Sequence, residues 1–417
     1  MNGYRCFSCA ATQDADFAGC LCPSCGGNLD ITYDYEAVAE HIEQLGADRA
    51  RSLFSYAPFL PVKTPRSRFP LRIGATPLYA ARRLGQLLGL RNLYLKDDTV
   101  NPSASSKDRA SVIAVHRAMD IGADIVSVAS TGNAGSSLAC VAAAVGMRAI
   151  VFVPETAPVA KLTQALSFGA TVLAVRGNYD DAFDLCRTAS DEFGWFNRST
   201  GYNPFTREGK KICAFEIWES LDGRVPDRIV VPTGDGNLLS GMWKGWCDLQ
   251  GVGLINRMPK IDCVQSESSA AISNTVNRIR DSGASKTDWT TVAVDVVNAS
   301  TIADSIAVDR PRDGLAAVRA IVESGGDTIT VSDEQILAAI PEMARLSGIF
   351  PEPAAAAPWA AVKQMRRDDR IETDELVVCL VSGSGLKDIG SAQKAAGEAL
   401  LIDPAIEAVR NALASSL

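Results

Sequence analysis

The chain lacks an apolar run long enough to cross a bilayer: the longest, Leu138 to Val153, is broken by Gly146 and Arg148. Its opening segment, Met1-Asn2-Gly3-Tyr4-Arg5-Cys6, has no apolar core of a secretory signal, so a soluble cytoplasmic protein is expected. It also lacks an excess of positive charge. Lysines and arginines number 41 against 49 acidic residues, and the net charge of −8 argues against a nucleic-acid or anionic-membrane partner. There is no internal repeat and no low-complexity tract. Histidine is scarce, and neither His41 nor His116 stands at ligand spacing from the cysteines. No glycine-rich stretch ends in Gly-Lys-Ser/Thr, and none has GxGxxG spacing, so Walker and dinucleotide fingerprints are both missing.

What is present is an ordinary globular composition. At 417 residues, 47% hydrophobic and 22% charged, the chain can bury large cores in two or three domains. Of its 11 cysteines, five fall in the first 25 residues; the others scatter through apolar segments as buried free thiols. Cys6-Phe7-Ser8-Cys9 and Cys22-Pro23-Ser24-Cys25-Gly26-Gly27 are two close thiolate pairs, the spacing of a tetrahedral zinc site, with Cys20 an alternative to Cys22. Asp14, Asp16 and Asp30 offset Arg5, which favours a structural ribbon over a nucleic-acid one.

Beyond Lys107 the pattern becomes regular. Short apolar strands at Ile125–Ala129, Ala149–Val153 and Thr171–Val175 alternate with helices at Ser136–Val145, Val159–Phe168 and Tyr179–Glu192. Strands recur at Leu93–Lys96, Arg228–Pro232, Ile261–Gln265 and Leu376–Val381. Such alternation means βαβ units and parallel sheets. Earlier, Tyr35 to Leu45 suits a helix, and Pro58, Pro61, Pro65 and Pro70 mark an irregular stretch. Later, Ser332 and Gln335 form a capping box, Ala354 to Met365 suits a helix, and 282–313 is expected to be a surface excursion near the substrate.

Four loops could carry chemistry, because ligands of open α/β sheets sit beyond strand ends. Asn101-Pro102-Ser103-Ala104-Ser105-Ser106-Lys107-Asp108-Arg109 puts a lysine at a loop-to-helix junction, where an amine can be tuned into a Schiff-base nucleophile. Ser130-Thr131-Gly132-Asn133 offers hydroxyls, an amide and helix-start N–H groups to a carboxylate. Thr233-Gly234-Asp235-Gly236-Asn237-Leu238 can cradle a phosphate, with Asp235 turned away or capping the helix that follows. Ser382-Gly383-Ser384-Gly385-Leu386-Lys387-Asp388 ends a strand with a hydroxyl able to meet a ring nitrogen.

Together the four loops suit pyridoxal phosphate. Their order resembles that of the threonine synthases, a family of fold-type II, tryptophan-synthase-β-like pyridoxal-phosphate enzymes. Cys25-Gly26-Gly27-Asn28-Leu29 and Gly348-Ile349-Phe350-Pro351-Glu352-Pro353 share in the resemblance. It implies two parallel-sheet α/β domains with the cofactor between them: a zinc-ribbon-like segment 1–30, a large domain of 31–105 and 206–417, and a small domain 106–205. It implies Lys107 as Schiff-base lysine and proton shuttle, and Asn133 on the cofactor's O3′. It further implies Gly234, Asp235, Gly236, Asn237 and Leu238 around the phosphate, and Ser382 on the ring nitrogen. Ser105, Ser130, Thr131, Asn133, Lys161, Arg207 and Lys210 are candidate contacts of an amino-acid substrate, and a homodimer is a family expectation.

Two segments depart from the family. Asn-Pro-Thr-Gly-Ser-Phe-Lys is typical, whereas this chain has Ala104 for the glycine and Ser106 before the lysine. In Asn203-Pro204-Phe205-Thr206-Arg207-Glu208-Gly209, Thr206 takes the usual arginine slot and Arg207 comes one place late. The implied reaction is threonine synthesis from O-phosphohomoserine. The alternative is an ammonia-lyase or β-replacement enzyme on a serine-, threonine- or phosphoamino-acid-type substrate.

Overall fold

A computed structural model describes residues 1–41, 52–62, 69–130, 132–157, 159–283 and 286–414, with backbone alone for 159–161. The chain starts as a small antiparallel sheet of β1 (Gly3–Cys6), β2 (Thr12–Asp14) and β3 (Leu29–Thr32), ordered β2-β1-β3. Alternation buries Tyr4, Leu29 and Ile31 against the body of the protein. The helix expected from Tyr35 is present over Tyr35–Ala39; residues 42–51, like Pro65, lie outside the described residues.

β4 (Leu78–Ala80) and β5 (Asn92–Asp97) begin the main sheet. The chain then leaves to build a second sheet from β6 (Ile125–Ala129), β7 (Arg148–Pro154), β8 (Thr171–Val175) and β9 (Phe196–Asn197). It returns with β10 (Arg228–Pro232), β11 (Lys260–Ser266), β12 (Thr328–Val331) and β13 (Leu376–Val381). The main sheet runs β12-β11-β10-β13-β5-β4 and the second β8-β7-β6-β9. Every pairing in the two is parallel except β4 with β5. All residues of β10 and β13 are buried, as helices on both faces require. Parallel strands put all their carboxyl ends on one side, and the loops after β5, β10 and β13 there face those after β6 and β9.

Packed against the Lys107–Asp120 and Asn237–Gly251 helices lies a helix that apolar periodicity does not reveal, Phe205–Ser220. Arg207, Glu208, Lys210, Lys211 and Glu216 are all buried on it. Gly209 lets it pack on the Lys107–Asp120 helix, since a Cβ there would stand 1.7 Å from the Arg109 carbonyl oxygen. Its charges are matched: Lys211 Nζ lies 2.6 Å from both Glu208 and Asp248. Glu216 takes two bonds of 2.7 Å from the Arg109 guanidinium and one of 2.7 Å from Lys96. The Ala75 N–H adds a fourth at 2.8 Å, and Arg109 also pairs with Asp98. The excursion expected over 282–313 is irregular where described, but Ala303, Ile306 and Asp313 within it are buried.

Burial alone would raise the Glu216 carboxyl, but Arg109 and then Lys96 overcome it and hold the group well below the usual carboxylate range. A depressed acid stabilises the fold above its unfolded pKa and loses that contribution as pH falls toward the folded one. Glu216→Gln is expected to cost about 3–5 kcal/mol at neutral pH, because it strands two buried cations. In urea titrations the gap from wild type should narrow below about pH 4.5; a constant gap would refute the assignment.

Candidate active site

Lys107 is the first residue of its helix, and two loops hold it in place. The Ser103 N–H donates to Asp108 Oδ2 at 2.7 Å. The Ser106 N–H donates to the Ser382 carbonyl at 2.8 Å and the Ser384 N–H to the Ala104 carbonyl at 3.0 Å, so the lysine loop and the loop after β13 are joined. Ala104 has φ +63°, which explains the glycine usual there; alanine tolerates it at a cost of about 1–2 kcal/mol. The hydroxyls of Ser105 and Ser106 are buried and have no partner among the described residues. Burial pushes the Lys107 amine below its ordinary pKa; Asp235 and Glu352 resist this, and Arg198 adds to it.

The glycine-rich loop lies opposite. Gly236 is the N-cap of the Asn237–Gly251 helix at φ +94°, and a Cβ on it would meet the Asp313 carbonyl oxygen and Ala317 Cβ, both at 2.8 Å. Asp235 accepts from the Asn237 N–H, the first of that helix, at 3.0 Å, and it also lines the cleft. Asn237 is a brace: its side chain donates to Asp313 at 2.9 Å and accepts from Lys210 Nζ at 2.7 Å. Lys210 is thus held beneath the loop. Its pKa is pushed well down, by burial first and by Lys107 next.

Lys107, Ser130, Gly132, Asn133, Thr200, Gly234, Asp235, Gly236, Leu238 and Ser382 surround one cleft of about 360 Å³, within the usual range for small-molecule sites. Asn133 opens the Asn133–Ala144 helix, three residues ahead of the expected start. Its amide donates to both Glu352 oxygens at 2.9 and 3.0 Å and to Ser305 at 3.2 Å. Ser105 sits behind the lysine, paired by a β-bridge with Gly383. Thr131 and the Lys161 side chain lie outside the described residues.

One expectation is corrected. Arg207 does not reach the cleft, so it is no substrate contact. Its guanidinium pairs with Asp313 and, at 3.2 Å, with Asp30, and lies 4.5 Å from the centre of the Phe7 ring. The one-residue shift relative to the family turns it toward the amino-terminal sheet. Conversely, Arg198 was invisible in the sequence, because Asn197-Arg198-Ser199-Thr200 matches no motif. It is fully buried, and its pKa falls to about 10, through burial against the pull of Asp235, Tyr179 and Asp108.

The arrangement fits pyridoxal phosphate. An amine of weakened basicity faces a turn that admits no Cβ, and Lys107, the turn and Ser382 line one space. Bound there, the cofactor would react through its aldehyde with Lys107 and supply an electron sink.

At the amino terminus, Cys6, Cys9, Cys22 and Cys25 bring their sulfurs within 4.8 Å of one another. Cys6 and Cys25 are 3.5 Å apart and Cys9 and Cys22 3.7 Å, close to the ~3.8 Å edge of a tetrahedron with ~2.3 Å metal–sulfur bonds. The donor set therefore fits a metal ion, and Cys20 is not part of the cluster. Asn28, three residues past Cys25, donates to the Arg312 carbonyl at 2.6 Å and to Asp313 at 3.1 Å. The Asp313 N–H in turn donates to the Asp235 carbonyl at 2.9 Å, which links the ribbon to the glycine-rich loop.

Residues 70–383 match the family described as pyridoxal-phosphate dependent enzyme, and the chain belongs to it. Within that class its similarity is to threonine synthases. It is 37% identical over 402 residues to the threonine synthase of Methanocaldococcus jannaschii, covering 96% of each chain. It is 36% identical over 415 residues to that of Methanosarcina acetivorans, covering 99% of each. The fold matches a threonine deaminase of Solanum lycopersicum with a TM-score of 0.67 at 18% identity, over 88% of this chain and 94% of that one. Maize serine racemase matches with a TM-score of 0.64 at 19% identity, over 77% and 91%. The architecture is therefore that of the fold-type II enzymes.

Gly236→Ala should weaken cofactor retention about tenfold or more, since the left-handed backbone and the backbone contact both oppose a methyl group. Reconstitution of apoprotein followed by cofactor absorbance checks this; unchanged affinity would remove the loop from the site.

Proposed function

We propose that the chain is a threonine synthase, converting O-phospho-L-homoserine and water to L-threonine and inorganic phosphate. The observation that carries the proposal is the shared cleft of Lys107, Gly234, Asp235, Gly236, Leu238 and Ser382 in a chain 36–37% identical to threonine synthases over nearly its full length. In this reading Lys107 removes the proton from Cα of the substrate and relays a Cβ proton to Cγ, phosphate leaves Cγ, water adds at Cβ, and a proton returns to Cα. Burial supports that role, because it keeps part of the amine population neutral. The helix start at Asn133, with Ser130 and the donor hydroxyl of Ser105, orients the substrate carboxylate. Lys210 braces the phosphate turn from below through Asn237. Ser382, a neutral hydroxyl, meets the ring nitrogen without protonating it, which favours elimination and replacement over transamination.

Thr206 in the arginine slot supports the second reading, an ammonia-lyase or β-replacement enzyme. A substrate panel separates the two. Phosphate release from O-phosphohomoserine with threonine as product is expected. Keto acid from serine or threonine as the main activity would replace the first reading by the second. Lys107→Ala should lose both the turnover and the cofactor's near-ultraviolet band.

The ribbon cysteines Cys6, Cys9, Cys22 and Cys25 are proposed to hold structural zinc. Elemental analysis is expected to give one zinc per chain in wild type and a loss in Cys6→Ser; a metal-free wild type would overturn the proposal. A homodimeric assembly and a cytoplasmic location belong to the same reading. Among the described residues no helix is long and apolar enough to cross a membrane.

A further inference from the structure

Beyond Gly397 the chain leaves the body of the protein and carries apolar residues into solvent. Leu400, Leu401 and Ile402 lead into the Ile406–Ala414 helix, of which no residue is buried. Leu401 is 100% exposed, and Ile406, Val409 and Leu413 recur at i, i+3 and i+7 on one helix face. That is the pattern of a helix that packs on something. At nine residues it is also too short to persist alone, since isolated helices in water need about 12–15 residues.

The body holds an apolar groove at the root of this segment. It lies between the Asp333–Ser347 and Ile389–Ala396 helices and has a volume of about 360 Å³. Ile340, Ala344, Phe350, Ile389, Ala392 and Ala396 line it, and Ile389 is 54% exposed. The charged residue in the lining is Arg345, whose guanidinium takes part in none of the ion pairs among the described residues. The segment brings the opposite charge. Asp403 and Glu407 flank Ile406 along the chain; Glu407 meets the exposed Arg410 at 3.6 Å, and Asp403 is in no ion pair among the described residues.

Ala396 lines the groove, and the segment begins at the next residue. Tethered at the rim, the helix still stands clear with its stripe unburied. Exchange with a second copy satisfies both observations: each copy gives one helix and one groove, and the contact closes around a two-fold axis. The area agrees. The apolar side chains of the segment expose on the order of 500 Å². Two segments in two grooves, both faces counted, bury on the order of 2,000 Å², above the ~1,200 Å² at which stable interfaces begin.

We infer that residues 400–414 dock in the Arg345 groove of a second copy of this chain, with Ile406, Val409 and Leu413 as the seated face. The inference gives a surface to the homodimer proposed above and rests on that reading of the assembly, not on the reaction.

Sedimentation of the whole chain with its cofactor over a dilution series tests it, with amide hydrogen exchange on the same samples. Ile406→Glu combined with Val409→Glu is expected to raise the dimer Kd about tenfold or more, and leaves the body intact because neither residue is buried. Arg345→Glu should raise it about threefold or more, and adding Asp403→Lys and Glu407→Lys to the same chain should recover it. Cofactor affinity should stay within about threefold in every variant. In wild type, exchange over 406–414 should be slow where dimer prevails and fast once dilution yields monomer. An unchanged dimer Kd in the Ile406 and Val409 double variant overturns the inference and leaves the homodimer to another surface. A wild type that is monomeric throughout overturns both. Slow exchange that persists in the diluted monomer places the helix in its own groove and overturns the inference as well.

Discussion

The ion pair between Arg109 and Glu216 holds the reactive lysine in place. Arg109 is two residues past Lys107 on the same helix, and Glu216 lies on the helix packed against it. The guanidinium clamps Glu216 with both terminal nitrogens and Asp98 through its ε nitrogen. Asp98 directly follows β5, so this one side chain ties the lysine's helix to the end of a main-sheet strand and to the interior helix. In low dielectric such a pair is costly to break from one side, and that asymmetry makes the site rigid.

A second hub is Asp313. Its carboxylate accepts from Arg207, Asn237, Ser240 and Asn28, and its N–H holds the Asp235 carbonyl. The glycine-rich turn, the amino-terminal ribbon and the loop that lines the cleft therefore share one buried carboxylate. The ribbon, which carries no group into the cleft, fixes the geometry of the turn through Asn28, Asp30 and Arg207. This gives the cysteine cluster a physical connection to the cleft 200 residues further along the chain.

The strands were legible because parallel strands covered on both faces read as short continuous apolar runs. Ile125–Ala129, Thr171–Val175, Arg228–Pro232 and Leu376–Val381 have the bounds their sequence suggests. The helix Phe205–Ser220 was not legible, since it buries, beside apolar residues such as Ile212 and Phe215, charges whose partners are distant in sequence. Asn237 reads as a phosphate-loop residue, and its side chain serves as a brace. Arg198 belongs to no motif and gains meaning from Ser111 and Thr200 beside it.

The sequence by itself determined the chemistry on offer: a lysine at a helix start, a turn of glycines, a serine ending a strand and two pairs of thiols. Each is a local property, readable from residue type, backbone freedom and short spacing. Tertiary structure alone decided which charges meet, turning Arg207 outward to the ribbon and Arg198 inward beside the lysine. The physical reason is desolvation. The energy of a charge depends on burial and on partners a hundred residues away, and neither is written in its neighbours along the chain.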